Sequence, residues 1–284
     1  MQDLDQKRNN KHHEHLDMMS KKSKDASSTV FALSILSKVP EVTLIFWITK
    51  IFATTFGETA GDALSMSLNL GYLVSTLIFA AIFLIFLILQ ISAQKYKPYL
   101  YWFTIIASTT VGTTLADFLD RSLGIGYVGG SLILLVLVLS SLFIWYKVEG
   151  SISPHSIQKP RTELFYWLTI TFSQTLGTAL GDWSADTAGL GYDGGMVLFS
   201  GLILFISILY FKTNISRTLL FWSAFVLTRP LGAVVGDFLD KPIASGGLDL
   251  SRFAASAVLL VAILVCIFIA NYQRSNRITK HFIQ

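Results

Sequence analysis

The chain has 284 residues, of which 52% are hydrophobic and 14% charged, and its mean hydropathy is positive. That mix lies outside the usual soluble range, so the bilayer is the expected solvent. A formal charge of +4 does not point to nucleic acid, because Lys and Arg fall in tails and connectors and form no stripe along one face.

Residues 1–38 are polar and lysine-rich, and they read as a disordered cytoplasmic tail too poor in apolar side chains to fold alone. His12, His13 and His15 lie there, where three solvated imidazoles offer at most a loose metal site. The first apolar run starts near Val42, exceeds twenty residues and lacks a small-residue cleavage site, so a span is expected and not a signal peptide. Eight apolar runs follow, at about 42–64, 72–90, 99–119, 127–146, 164–183, 192–211, 219–239 and 253–270. At 1.5 Å per residue each is long enough to cross a core of about 30 Å. The fold class expected is therefore an all-α integral membrane protein with eight transmembrane helices. The single cysteine, Cys266, sits in the last run and excludes a disulfide framework or a Cys-x-x-Cys site.

The runs are organised as four repeats. The pair Phe46-Trp47 recurs as Tyr101-Trp102, Tyr166-Trp167 and Phe221-Trp222, with offsets of 55, 65 and 55 residues. Ten residues after each Trp stands a glycine, Gly57, Gly112, Gly177 or Gly232, and five residues later an aspartate, Asp62, Asp117, Asp182 or Asp237. Nine residues beyond each aspartate comes Gly71, Gly126, Gly191 or Gly246, followed by Tyr in the first three and by Gly247 in the fourth. The longer middle offset falls in a polar stretch containing Pro154, which reads as a linker. Repeats two and four share Asp117-Phe-Leu-Asp120-Arg121 and Asp237-Phe-Leu-Asp240-Lys241, so a pair of hairpins duplicated as a unit. The expected domains are a tail at 1–38, repeats one and two at 39–147, a cytoplasmic linker at 148–160, repeats three and four at 161–272, and a cytoplasmic tail at 273–284.

Tails and connectors hold 17 Lys and Arg, against Arg121, Lys241 and Arg252 in the turns within hairpins. The positive-inside rule then places both termini in the cytoplasm. Each repeat has an even number of spans, so all four insert alike as parallel repeats. Fifteen residues separate Trp47 from Asp62, roughly 22 Å by helix rise, which puts the aspartates at one level in the outer third of the bilayer.

Gly57 with Gly61, Gly112 with Ala116, Gly177 with Gly181 and Gly232 with Gly236 are small-xxx-small pairs, expected to pack the first helices into an inner bundle. The aspartates cost about 2.5–3.5 kcal/mol each at the centre of a span, so they are expected at interior or functional positions, unless they cap helix ends near water. Glu58 and Lys50 in repeat one, and Arg229 before Pro230 in repeat four, break the equivalence. Counted together, five acids face two bases inside the membrane. The substrate-binding or ion-binding candidates are therefore Asp62, Asp117, Asp182, Asp237, Glu58, Lys50 and Arg229, with Thr54, Thr55, Thr113, Thr178 and Gln174 as further oxygen ligands at that level. Lys50 and Arg229 have a plain alternative role, each neutralising a neighbouring acid.

In Gly112-Thr113-Thr-Leu-Ala116-Asp117 and Gly177-Thr178-Ala-Leu-Gly181-Asp182 the chain resembles a bacterial family of uncharacterised multi-pass membrane proteins built from this repeat. The likeness spans roughly residues 38–271; repeat one has Glu58 in place of Thr, and repeat four has Ala233. The resemblance implies the architecture and an inner-membrane location and names no substrate. The expected function is a transporter or channel for a cation or cationic small molecule, with no cofactor, no catalytic residue and the bilayer as partner. Two alternatives stand beside it. One is a non-catalytic assembly or sensor protein whose glycine faces bind helices. The other is an intramembrane acid-dyad enzyme, suggested faintly by Gly181-Asp182 and Tyr192-Asp193 and weakened by Ala179 and by fourfold repetition. No span contains histidine, which argues against a bis-histidine haem.

Overall fold

The computed structural model describes residues 37–154, 157 and 159–283. Among them are eight long helices and no strand: α1 Leu44–Asp62, α2 Gly71–Ser92, α3 Pro98–Asp117, α4 Gly126–Glu149, α5 Pro160–Asp182, α6 Gly191–Lys212, α7 Arg217–Asp240 and α8 Arg252–Ile283. Local chemistry sets their starts. The Thr43 and Ser216 hydroxyls cap α1 and α7 by accepting from backbone N–H groups in the first turn, and prolines open α3 and α5 where a missing N–H costs nothing.

After α1, α3 and α5 the chain widens into five-residue π turns, Ala63–Ser67, Phe118–Ser122 and Trp183–Thr187. Gly71, Gly126 and Gly191 then open the following helices with φ of 73°, 75° and 64°, a left-handed conformation that favours glycine. Repeat four departs: α7 continues as α-helix to Asp240, a short 3₁₀ turn at Ile243–Ser245 intervenes, and α8 begins only at Arg252.

The first helices of the repeats close a ring, α1 on α3, α3 on α5, α5 on α7 and α7 back on α1. Each second helix packs outside, on the first helix of the next repeat: α2 on α3, α4 on α5, α6 on α7 and α8 on α1. The ring is therefore cyclic, with α8 returning to α1. In the most apolar stretch of α7, 72% of residues are buried, against 11% in α2 and in α6, which separates an inner ring from an outer one. Large apolar side chains such as Leu77, Ile85, Val136, Phe205 and Phe268 face outward, as expected of a surface solvated by hydrocarbon.

Five helices, α2, α4, α6, α7 and α8, are long and apolar enough to cross a membrane. The other three, α1, α3 and α5, have 19, 20 and 23 residues, and polar side chains turned into the ring lower their hydropathy.

Residues 1–36, with the three histidines, lie outside the described residues. Ser37 and Lys38, placed in the tail on composition, are buried. Lys38 Nζ lies 2.8 Å from Glu163 Oε2 and donates to the Ile91 carbonyl at 3.0 Å, while Gln90 Nε2 donates to Glu163 Oε1 at 3.0 Å. Satisfied on both carboxylate oxygens, Glu163 anchors the entering chain to α2 and α5. At the other end α8 continues through the stretch read as a tail from 273, since neither Gly nor Pro interrupts the sequence there.

Candidate functional site

Residues four apart stack along one face of a helix. Counted back by fours from each repeat aspartate, the stripe is Glu58, Thr54, Lys50 and Phe46 on α1; Thr113, Thr109, Ile105 and Tyr101 on α3; Thr178, Gln174, Ile170 and Tyr166 on α5; and Ala233, Arg229, Phe225 and Phe221 on α7. All of these, and the four aspartates, are buried. Because the inner helices form a ring, the four stripes make successive layers along one column.

At one end the Tyr101 and Tyr166 hydroxyls meet at 2.6 Å beside Phe46 and Phe221. In the next layer Lys50 stands among Ile105, Ile170 and Phe225, its Nζ 4.3 Å from the centre of the Phe225 ring and 3.5 Å from Gln174 Oε1. Arg229 crosses the middle. Its Nη1 and Nη2 each donate to Glu58 Oε2 at 3.1 Å, and Nη2 donates also to Thr113 Oγ1 at 2.6 Å and Thr178 Oγ1 at 2.5 Å. One guanidinium from α7 thus engages α1, α3 and α5. Thr113 Oγ1 in turn donates to the Gly57 carbonyl at 3.0 Å.

The glycine faces make this convergence possible. A Cβ on Gly57 would stand 2.5 Å from Thr109, on Gly112 2.9 Å from the Gln174 backbone, on Gly177 2.2 Å from Arg229, and on Gly232 2.2 Å from Thr54. Each therefore receives the matching residue of the next inner helix. Gly61, Gly181 and Gly236 do the same for Thr113, Ala233 and Glu58, and Ala116 occupies the equivalent place on α3.

The four aspartates gather at the far end, and two bases that follow them by one turn fold back onto them. Arg121 places Nε 2.9 Å from Asp117 Oδ1 and Nη2 3.4 Å from Asp182 Oδ2. Lys241 pairs with Asp62, with Asp237 Oδ1 at 3.0 Å and, more loosely, with Asp240 Oδ1 at 4.0 Å. Arg252, at the start of α8, holds Asp240 Oδ2 at 3.0 Å. The sequence count of five acids against two bases is revised here: with Asp120, Asp240 and Arg252 of the same turns the tally is seven acids to five bases, an excess of two in place of three, once Arg121 and Lys241 are included. Both bases were assigned to outer turns, and the four-residue spacing inside Asp-Phe-Leu-Asp-(Arg/Lys) was the signal for their return. Their arrangement is twofold, since the matching positions in repeats one and three are Met66 and Asp186.

Carboxylate oxygens of Glu58, Asp62 and Asp237 lie within 4.8 Å of one another, a spacing able to hold a cation, with the Lys241 ammonium beside two of the three. Asp62 Oδ1 has no hydrogen-bond donor among the described residues. Of the acid pair that suggested a dyad, Asp182 is buried in the column while Asp193 is exposed on the outer helix α6. Thr55 is buried but bonds back to the Ile51 carbonyl.

A ring of four helical hairpins around a buried charged column defines a repeat-built all-helical protein, and five of its helices are long and apolar enough to cross a membrane. The chain belongs to the family described as Repeat of Unknown Function (DUF347), which matches four segments, 45–96, 100–151, 165–216 and 220–276. No curated protein and no solved structure matches it.

Proposed function

We propose that the chain is an eight-span protein of a bacterial cytoplasmic membrane that carries a cation or cationic small molecule along the axis of its inner ring, without catalysis. The observation that carries this reading is the unbroken column of charged and polar side chains from Lys50 through Arg229 and Glu58 to the four aspartates. Intramembrane ionisable groups are expensive and mark pathways where repeats converge. With 17 Lys and Arg in the tails and connectors, both termini are cytoplasmic and the aspartate ring is the outer end.

In this reading Lys241 is a tethered cation. It occupies the carboxylate cluster of Asp62 and Asp237 from a partly exposed turn, with side-chain exposure of 12%. An incoming cation replaces the ammonium one charge for one, which avoids stranding a bare carboxylate at several kcal/mol. Glu58, shared between Arg229 and this cluster, offers the next ligand inward.

Flux of a panel of monovalent and divalent cations into proteoliposomes tests the reading. Uptake of at least one cation is expected, with tenfold or greater loss in Asp62→Asn/Asp237→Asn and no loss in Asp193→Asn. Undiminished uptake after all four repeat aspartates become asparagine rejects the mechanism. A second reading, a static assembly protein, draws support from Arg229, whose bonds to three helices fill the middle of the column. It predicts no uptake of any cation by the wild type, and reduced thermal stability in the same variants.

A further inference from the structure

A crevice of about 540 Å³ opens on the outer surface where α6 and α7 meet α1. Its walls are apolar, including Trp47, Ile51, Ile203, Ile206 and Phe221, and Arg217 is the one charged residue among those lining it. The volume falls within the ~300–1,000 Å³ range of small-molecule pockets. From Thr218 to Thr228 the lined part of α7 rises about 15 Å along the helix axis.

The duplication supplies an internal control. A shift of 120 residues relates α2 to α6 and α1 to α5, so the matching groove lies between α2, α3 and α5. There Phe83 is buried, Phe86 and Leu87 pack on the core, and Gln90 bonds Glu163, bringing α2 against α5. The corresponding residues of α6 are Ile203, Ile206, Ser207 and Tyr210. Phe83 and Phe86 give way to isoleucines and Leu87 to serine, so one groove is filled by the protein and the other is left open.

Arg217 sits on the inner-leaflet side in the orientation argued above, which is the part of that reading on which this inference rests. Its guanidinium lies 4.3 Å from the Tyr210 ring and donates to the Tyr210 carbonyl, and no carboxylate pairs with it among the described residues. The side chain is exposed and keeps donors free for a planar fork onto phosphate oxygens. An apolar slot capped by an unpaired guanidinium at the headgroup level matches an amphiphile with a hydrocarbon tail and an anionic head. We propose that this crevice binds an anionic phospholipid, its acyl chain between α1 and α6 and its phosphate on Arg217.

The test uses detergent-purified full-length chain, loaded with equal amounts of phosphatidylglycerol and phosphatidylcholine and examined by native mass spectrometry. The wild type retains phosphatidylglycerol preferentially. Arg217→Gln lowers that retention at least threefold, and Ile206→Phe/Ser207→Leu, which installs two residues of the filled groove, abolishes it. Equal retention by the filled variant, or no preference between the two lipids, overturns the proposal. Because a filled variant can misfold, a phosphatidylglycerol analogue carrying a photoactivatable acyl chain is also applied to the wild type. Crosslinks concentrated in 203–211 and 44–51 support the site, and labelling spread evenly over α2, α4 and α8 refutes it. A chain that stays monodisperse in water without detergent contradicts membrane embedding before any lipid is added, so the two failures are told apart.

Discussion

Arg229 is fully buried, and its hydrogen bonds reach Glu58, Thr113 and Thr178 on the three other inner helices. Two threonine hydroxyls and a carboxylate satisfy its terminal nitrogens, while Nε has no acceptor among the described residues. A charge in that place is costly unless it is paired, since isolated burial costs several kcal/mol per ion. Arg229→Met removes the partner of Glu58 and leaves a carboxylate stranded, at about 3–5 kcal/mol by analogy with broken buried pairs. The expected outcome is a lower melting temperature of the purified protein in detergent. Arg229→Met/Glu58→Met removes both charges and recovers most of the loss, because an apolar pair of similar volume replaces the ion pair. If the double variant melts no higher than the single one, the pair is not the source of the stability. The sequence showed both charges and their misfit with a span. It did not show the pairing, because Glu58 and Arg229 are separated by 171 residues and meet only after the ring has closed.

Each inner helix meets the next through a glycine, and at Gly112 two of the three nearest atoms are backbone. A Cβ there would stand 2.9 Å from the Gln174 carbonyl carbon and 3.0 Å from the Thr175 nitrogen, which are backbone atoms with no rotamer to change. Gly112→Ala therefore forces α3 and α5 apart, with an overpacking cost of about 1–3 kcal/mol. Gly201→Ala, on the outer helix α6 where nothing lies within 4 Å, is the control and is expected to leave the melting temperature unchanged. At this scale the sequence was most legible. Four glycines in register, each five residues before an aspartate, located the inner helices and the level of the acids, because helical periodicity is a local property. All eight runs were read as spans, yet among the described residues five helices are long and apolar enough to cross a membrane, because inward polar stripes dilute the hydropathy of α1, α3 and α5. The reach of Arg121 and Lys241 was not legible, since it depends on the turns after Asp117 and Asp237. The second helices show the reverse: their long apolar runs announced them, yet nothing local says that each packs on the repeat after its own.

That forward packing decides how the duplicated halves relate. The polar stretch at 148–160 reads as a boundary, but α4 of the first half packs on α5 of the second, and α8 of the second packs on α1 of the first. The ring adds two further crossings, α3 with α5 and α1 with α7. The charges interlock in the same way: Arg121 of repeat two holds Asp182 of repeat three, and Lys241 of repeat four holds Asp62 of repeat one. A half expressed alone loses both ring seams, and the first half also strands Glu58 and Asp62 without Arg229 and Lys241. Repeat arrays of this kind draw stability from interfaces between neighbours, and a cyclic one has no end at which to stop. Fragments 1–154 and 155–284 are accordingly expected to co-purify when produced together, with a tag on either one retaining the other, and each to be depleted at least fivefold when produced alone. Arg121→Ala and Lys241→Ala in the co-expressed pair should weaken recovery, since each severs a charge pair that joins the halves. Equal accumulation of a lone, monodisperse half would show that the pairs of repeats fold as independent bodies and that the closed ring is not the unit of stability.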